Sequence, residues 1–486
     1  MKSVTISISI IIGVYVTILH SHALARDKTY DIRHYDLQIR PDFATKTLDL
    51  RTRILICNPE LQEEITLGLS DFYDVVKVTS LTSTVKVSRS PGLVNIKLEK
   101  PAKEMVLVIK LKGAPGKSNG EDRDVISDSS LFLLWSDRFY PIDFNDWATV
   151  KTHIVLPSGF QAVAPGKLVE ASHLANRIEY MFETTNPAVC FSVIADARWI
   201  KTEREVDGLR MQTLLYPESQ KFVGQIFSTS RKILEFYSET YCPYPFDQFS
   251  FVTIEGINAR RAFPGFVGYD PQYLEKEFLT TGHDAHETAL LWWFYTIRGS
   301  GPGGFQWTEG FGDYAEFLYD DVYGKPIPEI FRYFREKYLK LPFENDVPYQ
   351  QLRGNTPQEI LHGKYPWLMH ILRYVMGDIY FKKAMRLLFE RFRFETFSMS
   401  EFVQALEEAG GKSLVWWREE WLERKGVPVI SLESDIKRGD DSYHTKIILT
   451  QLGNIYHLPL EIGIETGEGM RIEKVNLTGR RMKFTF

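Results

Sequence analysis

The chain has 486 residues, which is enough for roughly two to four domains with buried cores. Its 44% hydrophobic and 25% charged residues are the balance of an ordinary globular protein, and a net charge of −5 excludes the broad basic surface typical of nucleic-acid binding. Cys57, Cys190 and Cys242 are widely spaced. They exclude a disulfide framework and indicate structural thiols, with one disulfide as the alternative.

The first 25 residues have the pattern of a secretion signal. Lys2 precedes an apolar run over residues 4–19, and Ala23-Leu24-Ala25 closes the segment before a polar stretch. A charged start, an apolar centre and a small-residue ending are typical of a cleavable signal peptide. An uncleaved membrane anchor is the alternative, although the run is short for a bilayer span. We therefore expect a mature chain without a transmembrane span, located in the periplasm or secreted.

Residues 26–200 predict a β domain. Apolar and polar residues alternate over residues 35–39, 52–56 and 105–109, and clusters of Pro, Gly, Asn and Asp separate these runs. The segment contains no helical pattern of convincing length.

Near residue 218 the apolar period becomes helical, which predicts a second domain over residues 201–426. Its predicted helices cover residues 220–241, 281–297, 310–319, 328–338, 358–375 and 381–392. A further helix is expected to begin at Ser398 or Ser400, with Glu401 following, and to stop at Gly410-Gly411. Strand patterns return after Gly426, so residues 427–486 are predicted to form a small C-terminal β module.

The stretch from Thr281 to Trp293 indicates metal chemistry. A zinc hydrolase helix carries two histidines four residues apart, which places both imidazoles on one face, and a glutamate after the first histidine acts as general base. His286 and Glu287 fit the first half of this pattern. Leu290 stands at the second ligand position and cannot bind zinc, so the complete HExxH signature is absent.

A second segment, residues 307–316, completes a family resemblance. Eighteen residues separate Leu290 from Glu309. The chain resembles the zinc aminopeptidases of the membrane alanyl aminopeptidase type, gluzincins in which HExxH is followed after eighteen residues by a ligand Glu in a WLxEGFAxYxE-like segment. Matching residues are Trp292, Trp307, Glu309, Gly310, Phe311, Tyr314 and Glu316. Residues 361–372 resemble the family's YxKGAxxLHML helix, and weaker similarity extends over residues 30–465.

The resemblance implies an α+β multidomain fold with an N-terminal β-sandwich-like domain, a thermolysin-like and mostly helical catalytic domain, and the small C-terminal β module. It also implies a zinc site in which His286 is the first ligand, Glu287 the general base and Glu309 the third ligand. His362 stands where the family has its catalytic Tyr, and a protonated His can still donate to an oxyanion. Structural roles for His286 and for Glu309, as a carboxylate favoured near a helix start, are the alternatives.

The family's amine-binding GAMEN segment falls near residues 256–265, which contain no glutamate. Glu255 only precedes the segment and is the nearest candidate for binding substrate. Arg260 and Arg261 would repel a peptide's ammonium group if they faced the cleft. We interpret them as part of a solvated loop, with binding of a small anionic ligand as the alternative.

Two functions follow. The first is a pseudoenzyme that binds a peptide or small anionic ligand in the old cleft, because Leu290 and the missing glutamate remove parts of the site. The second is an active zinc metallopeptidase with a rearranged site that uses His286, Glu309 and the additional candidate His283. A metal-free hydrolase for an anionic substrate has support only from the two arginines.

Overall fold

The computed structural model describes residues 30–115, 125–257, 260–274, 284–323, 327–353, 356–439 and 442–486. The predicted signal peptide and the candidate ligand His283 lie outside these ranges. The chain divides into two compact units. The first comprises Met1–Gly301, Phe311–Ile327 and Phe389–Phe397, and the second comprises Pro302–Gly310, Pro328–Leu388 and Ser398–Phe486. Within the described ranges, every helix is too short or too polar to span a bilayer.

The N-terminal part of the first unit is built from strands, as predicted. They are β1 (Asp31–Asp42), β2 (Thr47–Cys57), β3 (Glu64–Gly68), β4 (Tyr73–Ser80), β5 (Val85–Ser90), β6 (Leu93–Leu98), β7 (Glu104–Gly113), β8 (Val125–Ile126), β9 (Ser130–Leu133), β10 (Thr149–Pro157), β11 (Gln161–Val163), β12 (Lys167–Leu174), β13 (Arg177–Glu183) and β14 (Val193–Asp196). They form three sheets, with the orders β12-β13-β10-β1-β2-β7-β4, β11-β14-β9-β8 and β3-β6-β5.

Strand β2 shows why this part folds as sheet. Its alternate residues Leu48, Leu50, Thr52, Ile54 and Ile56 are fully buried, and the four residues between them are exposed. A period of two places one apolar face against the core and leaves the other toward water.

A further sheet of the first unit carries part of the candidate site. Its strands are β15 (Ile200–Val206), β16 (Leu209–Leu215), β17 (Gln248–Thr253), β18 (Arg260–Phe263) and β19 (Phe266–Tyr269), in the order β15-β16-β17-β19-β18. Helix α1 (Val223–Thr240) connects β16 to β17. Strands β17 to β19 were not predicted. All six residues of β17 are buried, so the strand lacks the polar alternation that would reveal it.

The predicted helices are present, with shifted ends. They are α2 (Asp284–Trp293), α3 (Gly304–Tyr323), α4 (Ile327–Tyr338), α5 (Tyr365–Met376), α6 (Asp378–Arg391) and α7 (Met399–Gly410). A π-type turn, Ile360–Lys364, precedes α5, and short helical turns lie at Trp135–Asp137, Pro217–Phe222, Pro271–Tyr273, Phe343–Asn345, Tyr349–Gln351, Val415–Trp417 and Arg418–Leu422. Helix α2 ends before residue 297 because Ile297–Gly299 (β20) pairs in parallel with Glu395–Phe397 (β21).

The second unit ends in small sheets, which confirms the predicted β character of the C-terminus. Its strands are β22 (Ile430–Arg438), β23 (Tyr443–Gln451), β24 (Leu458–Thr466), β25 (Gly469–Leu477) and β26 (Arg481–Thr485). They pair as β22-β23-β26 and as the hairpin β24-β25.

The neighbouring tryptophans of α2, Trp292 and Trp293, anchor this helix in the core. Trp292 is fully buried and its indole Nε1 donates to the Cys242 carbonyl at 2.9 Å. Trp293 stacks on Phe311 of α3, with ring centroids 4.4 Å apart. Stacked and buried aromatic rings fix the distance between the two helices. This packing brings the N-terminal half of α2 alongside α3.

Candidate active site

Helix α2 positions the two residues that match the start of the zinc motif. His286 and Glu287 lie in its first turn, and 5% and 7% of their surfaces are exposed. The helix packs against strand β18 of the five-stranded sheet. Buried ionisable side chains require nearby partners, because transfer out of water costs free energy that only charges or hydrogen bonds can offset. The surroundings of each side chain therefore indicate its role.

The partners of His286 come from helix α3. Its Nδ1 atom lies 3.0 Å from Oδ1 of Asp313. Potential ligand atoms of His286, Asp313 and Glu316 all lie within 4.8 Å of one another. Residues three apart on a helix share a face, so α3 presents both carboxylates to α2. We call these three residues the His–Asp–Glu group.

The sequence interpretation did not assign Asp313 or Glu316 to the site. Glu316 was recognised only as a match to the family segment, and Asp313 was not recognised at all. Their positions four and seven residues after Glu309 place all three acids on one face of α3. This spacing is the sequence signal that could have identified Asp313 and Glu316 as candidate site residues.

Leu290 lies one helical turn beyond His286 and is 8% exposed. Gly312 of α3 faces both side chains. A Cβ atom at this glycine would lie 3.0 Å from His286 Cε1 and 3.0 Å from Leu290 Cδ2. The second predicted ligand position is thus filled by an apolar side chain packed tightly against α3.

Arg260 enters the site from strand β18. Its Nε atom lies 3.2 Å from Oε1 of Glu287, and the two side chains are 15% and 10% exposed. The guanidinium lies 5.6 Å from the ring centroid of Tyr273. Burial alone would lower the pKa of Arg260, but Tyr273, Glu316 and Glu287 outweigh it and raise this pKa above its usual value. The interpretation of Arg260 as part of a solvated loop is therefore wrong, because the residue is largely buried beside carboxylates.

The other candidates from the GAMEN-like segment lie in different surroundings. Glu255 is 65% exposed, and its Oε2 atom lies 2.6 Å from Arg198 Nη1. Arg198 also pairs with the fully buried Asp196 at 2.8 Å. Arg261 is the next residue of β18 and is partly buried. Binding of substrate by Glu255 or Arg261 stays a prediction.

Glu309 and His362 belong to the second unit. Glu309 lies in the second turn of α3, and the neighbouring Gly310 packs closely on Tyr365 of α5. His362 lies in the π-type turn Ile360–Lys364. The proposed zinc-ligand role of Glu309 and the catalytic role of His362 stay predictions.

Comparison with known proteins supports the resemblance. No family model matches the chain. It is 36% identical over 74 residues to Aminopeptidase N of Lactococcus lactis, a match that spans 15% of this chain and only 9% of that protein. Solved structures of an M1 zinc metallopeptidase from Deinococcus radiodurans align over 83% of this chain and 96% of theirs, with a TM-score of 0.70 and 16% identity. The chain has the fold of the M1 zinc metallopeptidases.

A further solved neighbour is described as a two-domain M1 zinc metallopeptidase bound to L-arginine. It aligns over 82% of this chain and 96% of its own, with a TM-score of 0.69 and 16% identity.

Two residues of the site, Leu290 and Arg260, differ from the zinc centre that the resemblance implies. A catalytic zinc ion is normally held by three protein ligands. Leu290 supplies no donor at one of those positions, and Arg260 brings a permanent positive charge to Glu287 and Glu316. A divalent cation placed beside these carboxylates would be repelled by that guanidinium.

Proposed function

We propose that this chain is a relative of the M1 zinc aminopeptidases that has lost peptidase activity and uses the retained fold to bind a peptide or amino acid. The observation that carries this proposal is the ion pair between Arg260 and Glu287. A general base must be within reach of the water or substrate proton that it accepts. In this chain Oε1 of Glu287, the residue at the general-base position, lies 3.2 Å from the largely buried Arg260 guanidinium.

The choice of ligand class draws on the solved neighbours. They are described as bound to a Tyr-Ser-Ala substrate, to L-tryptophan and to L-arginine. We propose that this chain binds small ligands of the same class. Binding of a small anionic ligand at Arg260 or Arg261 is the alternative ligand class, and there Arg260 is already paired with Glu287.

The test combines hydrolysis and binding with the same peptide. Purified chain from residue 26 onward is incubated with Tyr-Ser-Ala, with and without added zinc, and products are separated by chromatography. We expect no hydrolysis, and a binding signal by calorimetry. Hydrolysis by the wild-type chain that disappears in Glu287→Gln would overturn the proposal.

The second candidate function is an active zinc metallopeptidase with a rearranged metal site. The His–Asp–Glu group favours it, because one imidazole and two carboxylates are a possible ligand set for zinc. This function requires about one tightly bound zinc per chain. Metal analysis of chain purified without chelators tests it, and His283→Ala then tests the additional ligand.

We also propose that the chain is exported from the cytoplasm. The support is the N-terminal pattern of residues 1–25 alone. N-terminal sequencing of protein recovered from the producing cells tests this location. A mature N-terminus at Arg26 supports cleavage, and an intact Met1 contradicts it.

A further inference from the structure

We propose that the Arg260 guanidinium is a built-in counter-ion that takes the place of a divalent cation beside the His–Asp–Glu group. Removal of Arg260 should then make this group bind zinc. This inference extends the proposed function, which requires only that peptidase activity be lost. In this proposal, the Arg260 guanidinium supplies positive charge in place of the metal and excludes the metal.

The first support is the distribution of charge. Glu287 and Glu316 come from two different helices, and both interact electrostatically with Arg260. Carboxylates gathered in a largely buried site repel one another unless a cation compensates them. A metal ion is one such cation, and a guanidinium, which stays charged at all physiological pH values, is another.

The second support is that the fold holds Arg260 in place. Strand β18 pairs antiparallel with β19, and Arg260 lies opposite Tyr269. The Tyr295 hydroxyl, just beyond α2, donates to the Ala262 carbonyl at 2.7 Å. This hydrogen bond ties β18 to the segment that follows α2. The sheet thus holds the Arg260 guanidinium beside Glu287.

The third support is the donor set that remains. Ligand atoms of His286, Asp313 and Glu316 already lie within 4.8 Å of one another. They supply one imidazole nitrogen and two carboxylate oxygens, which zinc accepts as ligands. The ion pair with Glu287 uses none of these three side chains. A variant can therefore remove the pair and keep all three donor side chains, with Glu316 losing the positive charge of Arg260.

The experiment measures zinc binding to the full chain by calorimetry and by the zinc-dependent change in melting temperature. The test variant is Arg260→Gln combined with Glu287→Gln, because removing both partners avoids leaving one buried charge unpaired. Arg260→Gln alone is measured as a second variant. Arg261→Gln is the matched control, since it removes the same charge from the adjacent position, whose side chain points to the other face of the strand.

We expect Arg260→Gln to bind zinc at least about 100-fold more tightly than the wild type, because a nearby positive charge strongly disfavours a divalent cation. The double variant should gain less affinity, since it also loses the negative charge of Glu287. Adding Asp313→Asn should abolish the gain, and Arg261→Gln should show none. The inference is overturned if the wild type already binds zinc through Asp313, or if neither Arg260 variant gains affinity. The second result would leave the proposed function intact, which only hydrolysis by the wild-type chain overturns.

Discussion

Each compact unit contains a largely buried ion pair, and the two pairs differ in the ion at the centre. One has a cation beside several carboxylates, and the other has a carboxylate beside several donors. In the first unit the cation of Arg260 interacts with the carboxylates of Glu287 and Glu316. In the second unit the carboxylate of Asp346 accepts from several donors. It lies 2.9 Å from Lys364 Nζ, and the Tyr338 hydroxyl donates to it at 2.9 Å.

The backbone N–H of Gly426 also donates to Asp346, so this carboxylate joins α4, the turn before α5 and the segment that precedes β22. The Asp346 carboxylate therefore has a structural role, because each of its donors comes from a different part of the chain. A cation beside several carboxylates has the charge arrangement of a metal site. Burial of an ion pair therefore does not by itself indicate function, and the role proposed for Arg260 is argued from the carboxylates around it.

Removal of the Asp346 carboxylate should lower the free energy of unfolding more than any other change considered below. Asp346→Ala leaves the Lys364 ammonium, whose side chain is 5% exposed, without its partner. Breaking a buried pair from one side costs about 3–5 kcal/mol. We expect the free energy of unfolding, measured with urea, to fall by that amount. Asp346→Asn keeps an acceptor for Tyr338 and should lose less. A loss below about 1 kcal/mol for the alanine variant would contradict the structural role.

Close packing of Gly363 against Tyr338 should give the next largest loss of stability on substitution. A Cβ atom at Gly363 would lie 2.8 Å from the Tyr338 backbone nitrogen and 2.9 Å from Tyr338 Cβ. Backbone atoms cannot move aside easily, so Gly363→Ala should destabilise by about 1–3 kcal/mol.

Gly312→Ala in the first unit is the matched control for Gly363→Ala. The three atoms nearest to its new Cβ belong to side chains, at 3.0–3.3 Å, and alanine gains about 1 kcal/mol of helix propensity over glycine. We expect little net change in thermal stability. A larger loss at Gly312 than at Gly363 would show that α2 and α3 are the more rigid pair.

Features encoded by neighbouring residues were predicted well. Helix α7 begins after Ser398, whose hydroxyl accepts from the Glu401 backbone N–H while the Glu401 carboxylate accepts from the Ser398 N–H. It ends at Gly411, which has a φ of 63°. A capping box and a left-handed glycine act over three or four residues, so the sequence displays them completely.

Features that depend on distant contacts were not predicted. Arg260 and Arg261, followed closely by Pro264-Gly265, indicate a loop, but β19 pairs with these residues and makes a strand. The partner of Arg260 lies 27 positions away, at Glu287, and no local pattern joins them. Asp313 was missed for the same reason, because its proximity to His286 depends on how α2 packs against α3.

Neutralising Glu287 should cost less than removing Asp346, since Arg260 keeps Glu316 as a neighbour. We expect Glu287→Gln to lower the free energy of unfolding by about 1 kcal/mol, the usual scale of a lost hydrogen-bonded partner. Glu255→Gln is the control, because its pair with Arg198 is exposed and should contribute less than about 1 kcal/mol. A loss at Glu287 as large as that at Asp346 would remove the distinction between the two sites.

The smallest effect should be a difference in pH dependence. Burial lowers the pKa of Lys364 below 10.5, although Asp346 partly opposes the shift. Between that lowered pKa and 10.5, the unfolded chain binds more protons at this group than the folded chain does. The contribution of Lys364 to the free energy of unfolding therefore rises with pH across this window and is lost as pH falls. Arg260 gives no such slope, because its pKa is raised and it remains charged.

Comparison of wild type with Lys364→Met isolates this contribution, since other ionisable groups are common to both chains. Urea unfolding from about pH 8 to about pH 10 should show the stability difference moving in favour of the wild type. The same comparison for Arg260→Met should give a difference that does not change with pH. A constant difference for Lys364→Met would mean that the second unit holds its cation as firmly charged as the first, and the two ion pairs would then differ only in geometry.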